Sequence, residues 1–432
     1  MEPFALPEKF LLGTATASLQ IEGGDRNNSW YRWAEQGHIT DGTHCIEADD
    51  HWNRVSEDTS LMKKLNNKTY RMSVEWARIE PIKGKYDAEA VAHYRSEIEL
   101  LLENNIKPLV TLHHFSNPLW LEDQGAWMEP EVIDLFEAYT AHVVENLGDL
   151  VSDWCTINEP NVYLYEGYVE GIWPPGEKNI LKYFKGARNM IMAHIMAYRK
   201  IHAIRRQMGK TDTMVGFAHH ERIFDPKTGS RSEILLCRLY ERLFHEIFVK
   251  GMAEGELLLP LGSGHPLGFG LYMDYFGLNY YTRDLISASL NPAALFAKME
   301  VRHGAPVNDL GWELYPEGLY RLCKKYYQLY SVPIFITENG TCDARDAFRT
   351  RYIYDHLFQV SRLIDEGVDV SRFYHWSLMD NFEWIEGLSA RFGLIEVDFE
   401  TQKRTIRPSG KFYAEICKDR SVTEKMIEKY LG

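Results

Sequence analysis

A (β/α)₈ barrel is the fold this sequence predicts, and three observations carry it. Eight short runs rich in apolar and β-branched residues recur along the chain, amphipathic stretches of helical spacing lie between them, and polar or acidic residues stand where most of the runs end. The runs fall at 11–15, 69–74, 107–112, 153–157, 214–218, 275–278, 334–337 and 372–376. Each is short enough for a strand, and Gly, Pro, Asn or charged residues bound most of them. Between them the spacing predicts helices over 88–103, where Ala90, Val91, Tyr94, Ile98, Leu101 and Leu102 form one apolar stripe, and over 130–146, 184–208 and 315–330. A doubly wound sheet is the rival arrangement, but no Gly-x-Gly-x-x-Gly follows the first run, which removes its usual dinucleotide-binding version. The stretches 16–50 and 282–312 read as long irregular loops on the catalytic face of a barrel, and the short interval between Pro260 and Tyr275 reads as a trimmed loop.

Size and composition narrow the function. The 432 residues are 45% hydrophobic, enough to bury a large core, and with no repeat or flexible linker we expect one catalytic domain over 1–432. Aromatic residues make up 13%, which suits a pocket that stacks flat ligands. The formal net charge of −14 gives no general attraction for nucleic acid or anionic membrane. Six scattered cysteines without a Cys-x-x-Cys pair argue against a disulfide framework or a cysteine metal site. No secretory signal and no 18-residue apolar run are legible, so the expected location is the cytoplasm. Assembly into a homo-oligomer is compatible with the sequence.

The chemistry is concentrated in two tracts, Thr156-Ile157-Asn158-Glu159-Pro160 and Ile336-Thr337-Glu338-Asn339-Gly340. Each is a β-branched run ending in a glutamate and a chain breaker, which is how a strand delivers a carboxylate to its own C-terminal end. Two carboxyls that face each other across a cleft form the pair that glycosidic-bond cleavage requires. Other run ends add Arg71, His113-His114-Phe115, Asn279-Tyr280-Tyr281 and Trp376, the last leading into Asp380-Asn381-Phe382-Glu383-Trp384. A barrel places its catalytic residues at such ends.

With these motifs in view, the chain resembles glycoside hydrolase family 1, the retaining β-glycosidases, from about Phe10 to Tyr413. The resemblance rests on the tract 10–23, the two glutamate tracts and Trp-Ser-Leu-Met-Asp-Asn-Phe-Glu-Trp at 376–384, in this order. It implies Glu159 as general acid/base and Glu338 as nucleophile. Arg71 and Tyr281 then stand beside the nucleophile to keep it ionised, and the charge of Glu338 keeps Glu159 protonated. Asn158 would bond the sugar 2-hydroxyl. Gln20, His114, Glu383 and Trp384 would hold the remaining hydroxyls, Trp376 would form the stacking floor, and Trp312 the aglycone platform. Substrates are expected to be small β-glycosides or short oligosaccharides, with glucose the first-choice glycone and fucose or galactose beside it. No metal or cofactor is called for, because two carboxylates supply the proton and nucleophile chemistry. An inactive sugar-binding relative is the alternative, and the intact glutamates argue against it.

Departures and temptations remain. Phe115 stands where many members of the family carry Trp, which removes a donor expected at the 3-hydroxyl. Trp30, Trp33, Trp127 and Trp173 read as core or loop anchors. The adjacent pairs His113-His114 and His219-His220 invite a metal reading, but neighbours on a strand point to opposite faces. The same alternation is read against a metal at His219-His220-Glu221.

Overall fold

A computed structural model describes residues 1–291 and 295–432. Eight parallel strands close into a barrel: β1 (Leu11–Ala15), β2 (Thr69–Ser73), β3 (Lys107–His113), β4 (Asp153–Asn158), β5 (Met214–Pro226), β6 (Phe276–Ala288), β7 (Ile334–Asn339) and β8 (Val370–Trp376). Each strand pairs with the next, β8 pairs with β1, and β5–β6 completes the ring. The expected (β/α)₈ barrel is therefore the fold, with all eight runs in place as strands. These strands are buried nearly throughout, as a sheet covered by helices requires.

The helices follow the apolar stripes. Ala88–Glu103 forms where the sequence predicts it. The Asp87 side chain accepts hydrogen bonds from the Glu89 and Ala90 amides at its start, and Ala90, Val91, Tyr94, Ile98 and Leu101 are buried. Val132–Leu147, Ile180–Gln207 and Glu317–Tyr330 take up the other three stripes, with ends displaced by a few residues.

Two expectations about loops change. β5 and β6 run on beyond the barrel wall as a paired extension, from Ala218 opposite Gly277 to Pro226 opposite Ile286. Ala297–Glu300 then adds to β6 as an antiparallel edge strand. Within 282–312, residues 282–288 and Ala297–Glu300 are thus sheet rather than irregular loop, while 292–294 lie outside the described residues. The partner run His219-His220-Glu221-Arg222 of β5 stays extended because the neighbouring strand satisfies its backbone. Likewise 16–50 contains two short helices, Ser18–Glu22 and Ser29–Glu35.

The end of the barrel where the strands begin is closed by paired charge. The buried Arg372 and Asp153 side chains meet there, Lys107 reaches the same carboxylate at 3.0 Å, and the Thr69 and Tyr374 hydroxyls lie 2.9 Å apart. The opposite end opens into a cavity of about 300 Å³.

Candidate active site

Glu338 is the last residue but one of β7, and Arg71 projects from the middle of β2. Their side chains make direct contact, and Tyr281 on β6 donates to the other carboxylate oxygen at 2.6 Å. Arg71 also donates to Asn158 Oδ1 at 2.6 Å. The family resemblance implies that the cation and the phenol keep this carboxyl ionised. Burial outweighs them: with a further push from Glu159, it holds Glu338 up at about 7 despite Arg71 and Tyr281.

Glu159 follows β4 in a left-handed backbone conformation (φ 40°, ψ 58°), and Pro160 opens a short helix directly after it. That turn stops the strand and aims the side chain into the cavity. Phe115 (φ 66°) and Trp384 (φ 51°) line the same cavity with positive φ, a conformation that concentrates at functional sites because surrounding contacts must hold it. Glu159 Oε1 accepts from Asn279 Nδ2 at 2.7 Å and lies 3.1 Å from His220 Nδ1. Asn279 also bonds Asn158 Oδ1 at 3.0 Å and accepts from Thr337 at 2.6 Å. One side-chain network therefore ties the residues beside both glutamates. His220 and Tyr281, the partners of the two carboxyls, stack with ring centres 5.9 Å apart.

The sugar-binding candidates gather around this pair. His114 lies 3.0 Å from Asn158 Nδ2, and its ring stacks between Trp376 and Trp384. Gln20 is fully buried and donates to Asn381 Oδ1, the Phe382 carbonyl and, at 3.4 Å, Glu383. Its Oε1 and the His114 Nδ1 are buried without a protein partner, which suits them to a hydroxylated ligand. Burial and then the charge of Glu338 push Glu383 up to about 8, so at neutral pH this carboxyl offers a donor as well as an acceptor. Trp312 sits farther out, against Tyr281 and Phe392. The lining also includes the apolar Val162, Ile172, Met299, Leu310 and Ile385 and the charged Glu166, Arg222 and Glu386.

All eleven residues singled out in the sequence thus converge at one end of the barrel. Of the four tryptophans read as anchors, Trp30, Trp33 and Trp127 are buried in the core, whereas Trp173 also lines the cavity. Trp30 donates to the Phe115 carbonyl at 3.1 Å and supports that turn. His220 was missed, since no motif marks it. His113 and His114 do diverge, His113 towards Asn117 and His114 towards Asn158. Alternation also parts His220 from His219, but it leaves His219 and Glu221 on a common face, and the helix residue His245 meets them there. The argument against a metal at this segment therefore fails for that trio.

An open cavity at the C-terminal ends of barrel strands, holding two glutamates on different strands amid aromatic and hydroxyl-binding groups, defines a barrel hydrolase of the carboxylate-pair class. The comparisons take this further. The family model for Glycosyl hydrolase family 1 matches residues 3–258 and 270–422, and the chain belongs to that family. It is 34% identical to Beta-glucosidase A of Thermotoga maritima over 97% of this chain and 99% of that protein. It is 33% identical to Beta-glucosidase A of Acetivibrio thermocellus over the same shares. Among solved structures, a beta-glycosidase from Pyrococcus horikoshii superposes with a TM-score of 0.92 at 34% identity, covering 99% of this chain and 98% of that one. The Family 1 b-glucosidase from Thermotoga maritima gives 0.90 at 30% identity, covering 98% of this chain and all of the other. The chain is accordingly a glycosidase of family 1.

Proposed function

We propose that residues 1–432 form one catalytic domain, a retaining exo-β-glycosidase that releases terminal β-D-glucosyl residues, with β-D-fucosyl or β-D-galactosyl as further glycones. The observation that carries the reading is Glu338 clamped between Arg71 and Tyr281 in a cavity that also holds Glu159. In the first step a Glu338 oxygen attacks the anomeric carbon, the glycosidic C–O bond breaks, and Glu159 gives its proton to the leaving oxygen. In the second, water attacks the same carbon, Glu159 takes a water proton, and the ester to Glu338 breaks. The Arg71 guanidinium holds the attacking carboxylate in place. No group beyond the two carboxyls is needed for this chemistry.

Relatives named beta-glucosidase support glucose as glycone, and a 30% identical relative from Pyrococcus woesei is named beta-galactosidase. Thermotoga maritima beta-glucosidase has been solved in complex with castanospermine and with deoxynojirimycin, compounds that a similar pocket here would accept. Among the described residues all six cysteines are unpaired and buried and no helix is long and apolar enough to cross a membrane, which supports the cytoplasmic reading.

Proton NMR during hydrolysis of nitrophenyl β-D-glucoside tests the mechanism. The β-anomer of glucose should appear first and mutarotate later. An α-anomer at the earliest times would overturn double displacement, and no release from any glycoside in a glucoside, fucoside, galactoside and mannoside panel would point to the inactive relative.

A further inference from the structure

Behind the cavity wall, on the face of β5 opposite His220, lies a second constellation that hydrolysis does not use. His219 and Glu221 project from the strand, and His245 meets them from the π-helical turn Glu241–Glu246, a helix irregularity that recurs at functional sites. All three side chains are fully or almost fully buried. His219 Nε2 lies 3.2 Å from His245 Nδ1 and 3.5 Å from Glu221 Oε1, and His245 Nδ1 lies 3.6 Å from that oxygen. The centre of such a triangle is about 2.0 Å from each corner, the length of a bond from zinc to imidazole nitrogen or carboxylate oxygen.

The surroundings orient these atoms. His245 Nε2 sits 3.0 Å from the Arg222 carbonyl and 3.4 Å from the Arg222 amide nitrogen. The shorter contact is to a group that can only accept, which favours the proton on Nε2 and turns the Nδ1 lone pair to the triangle. Tyr326 donates to Glu221 Oε1, fixing the carboxylate. These are the outer contacts that position metal ligands. Against this, the hydrogen-bond inventory is short. Glu221 Oε2 and His219 Nδ1 are buried with no partner, while His219 Nε2, His245 Nδ1 and Glu221 Oε1 converge on one point. The nearby ammonium of Lys325 is paired with Glu241 instead. A cation at that point would satisfy the converging buried lone pairs.

We propose that His219, Glu221 and His245 bind a divalent transition-metal ion, with zinc favoured by the two-imidazole, one-carboxylate donor set. The ion bridges β5 to the helical turn over it and holds the strand segment that presents His220 to Glu159. Its role is structural, separate from the two carboxyls that cleave substrate.

The full-length protein is stripped with a chelator, its metal content checked by mass spectrometry, and zinc chloride titrated in competition with a chromogenic chelator. Wild type should take up about one equivalent, and zinc should raise its thermal midpoint. His219→Gln and His245→Gln should each weaken binding by at least about tenfold, while the exposed His303→Gln leaves it unchanged. Cobalt titration of wild type needs no variant and should give the intense visible bands of a tetrahedral site. Absence of stoichiometric zinc and of those bands in wild type overturns the proposal, because a proton then fills the triangle. Equal zinc affinity in wild type and both histidine variants overturns it too, because the ion then binds elsewhere.

Discussion

The two ends of the barrel are built from similar side chains to opposite effect. Where the strands begin, Arg372, Asp153 and Lys107 meet in pairs, with Thr69 and Tyr374 bonded beside them. Where the strands end, Glu159, Glu338 and Glu383 share one cavity with a single direct cation, Arg71, among their described contacts. Gln20 Oε1 and His114 Nδ1 are left there without partners. The first end satisfies its charge and holds the barrel together. The second buries its acids and leaves polar atoms unmet: burial, with the neighbouring carboxylates adding to it, raises Glu338 and Glu383, and the unmet atoms are reserved for a ligand. Stability and activity are therefore expected to separate by end.

Glu338→Ala should show the largest effect, a fall in kcat of roughly 10⁴-fold or more, with cooperative unfolding retained. A variant that keeps substantial turnover would break the contrast at once. At the other end, Asp153→Ala strands the Arg372 charge in the barrel floor. It should cost about 3–5 kcal/mol of stability in denaturant titration, with kcat of the folded fraction unchanged. Loss of kcat in that variant without loss of stability would show that the two ends are not independent.

The pH profile sharpens the comparison. Glu338 acts as an anion and its carboxyl is held up at about 7, so kcat/KM should fall as pH drops through that region. Tyr281 favours the charged form by donating to it, so Tyr281→Phe should move the acidic limb to higher pH. A limb that stays put or moves down would show that the phenol does not stabilise the carboxylate. The smallest effect falls to His220. Removing its contact with Glu159 in His220→Ala should slow cleavage of alkyl glucosides by roughly twofold to tenfold, and of nitrophenyl glucoside less, since a better leaving group needs less help from the acid.

Much of this was legible in the sequence because barrel strands, buried on both faces, must be short and apolar, and because their ends carry the chemistry. The runs ending at Glu159 and Glu338 reveal both strand and site in a single stretch. The extension of β5 was not legible, since His219–Pro226 has no apolar alternation and is held straight by pairing with β6. Nor was the weight of burial on Glu338, which depends on how deeply β7 and its neighbours enclose the side chain. Partnerships across elements, such as His220 with Glu159 or His245 with His219, arise only when the barrel closes and the helix after β5 folds back over it. Trp173 could be placed near a loop from sequence but not at the cavity wall, which depends on its packing against Trp30 and Phe115.

The division of roles between the two glutamates is tested most directly by trapping the intermediate. The enzyme is incubated with a 2-deoxy-2-fluoro-β-glucoside bearing an activated leaving group, which slows breakdown of a glycosyl ester, then digested and sequenced by mass spectrometry. One fluoroglucosyl group on Glu338, displaced when the protein is freed of reagent and given time to turn over, is the expected result. Attachment to Glu159 or Glu383, or release of the leaving group with no adduct at any time, would contradict the assignment of Glu338 as nucleophile.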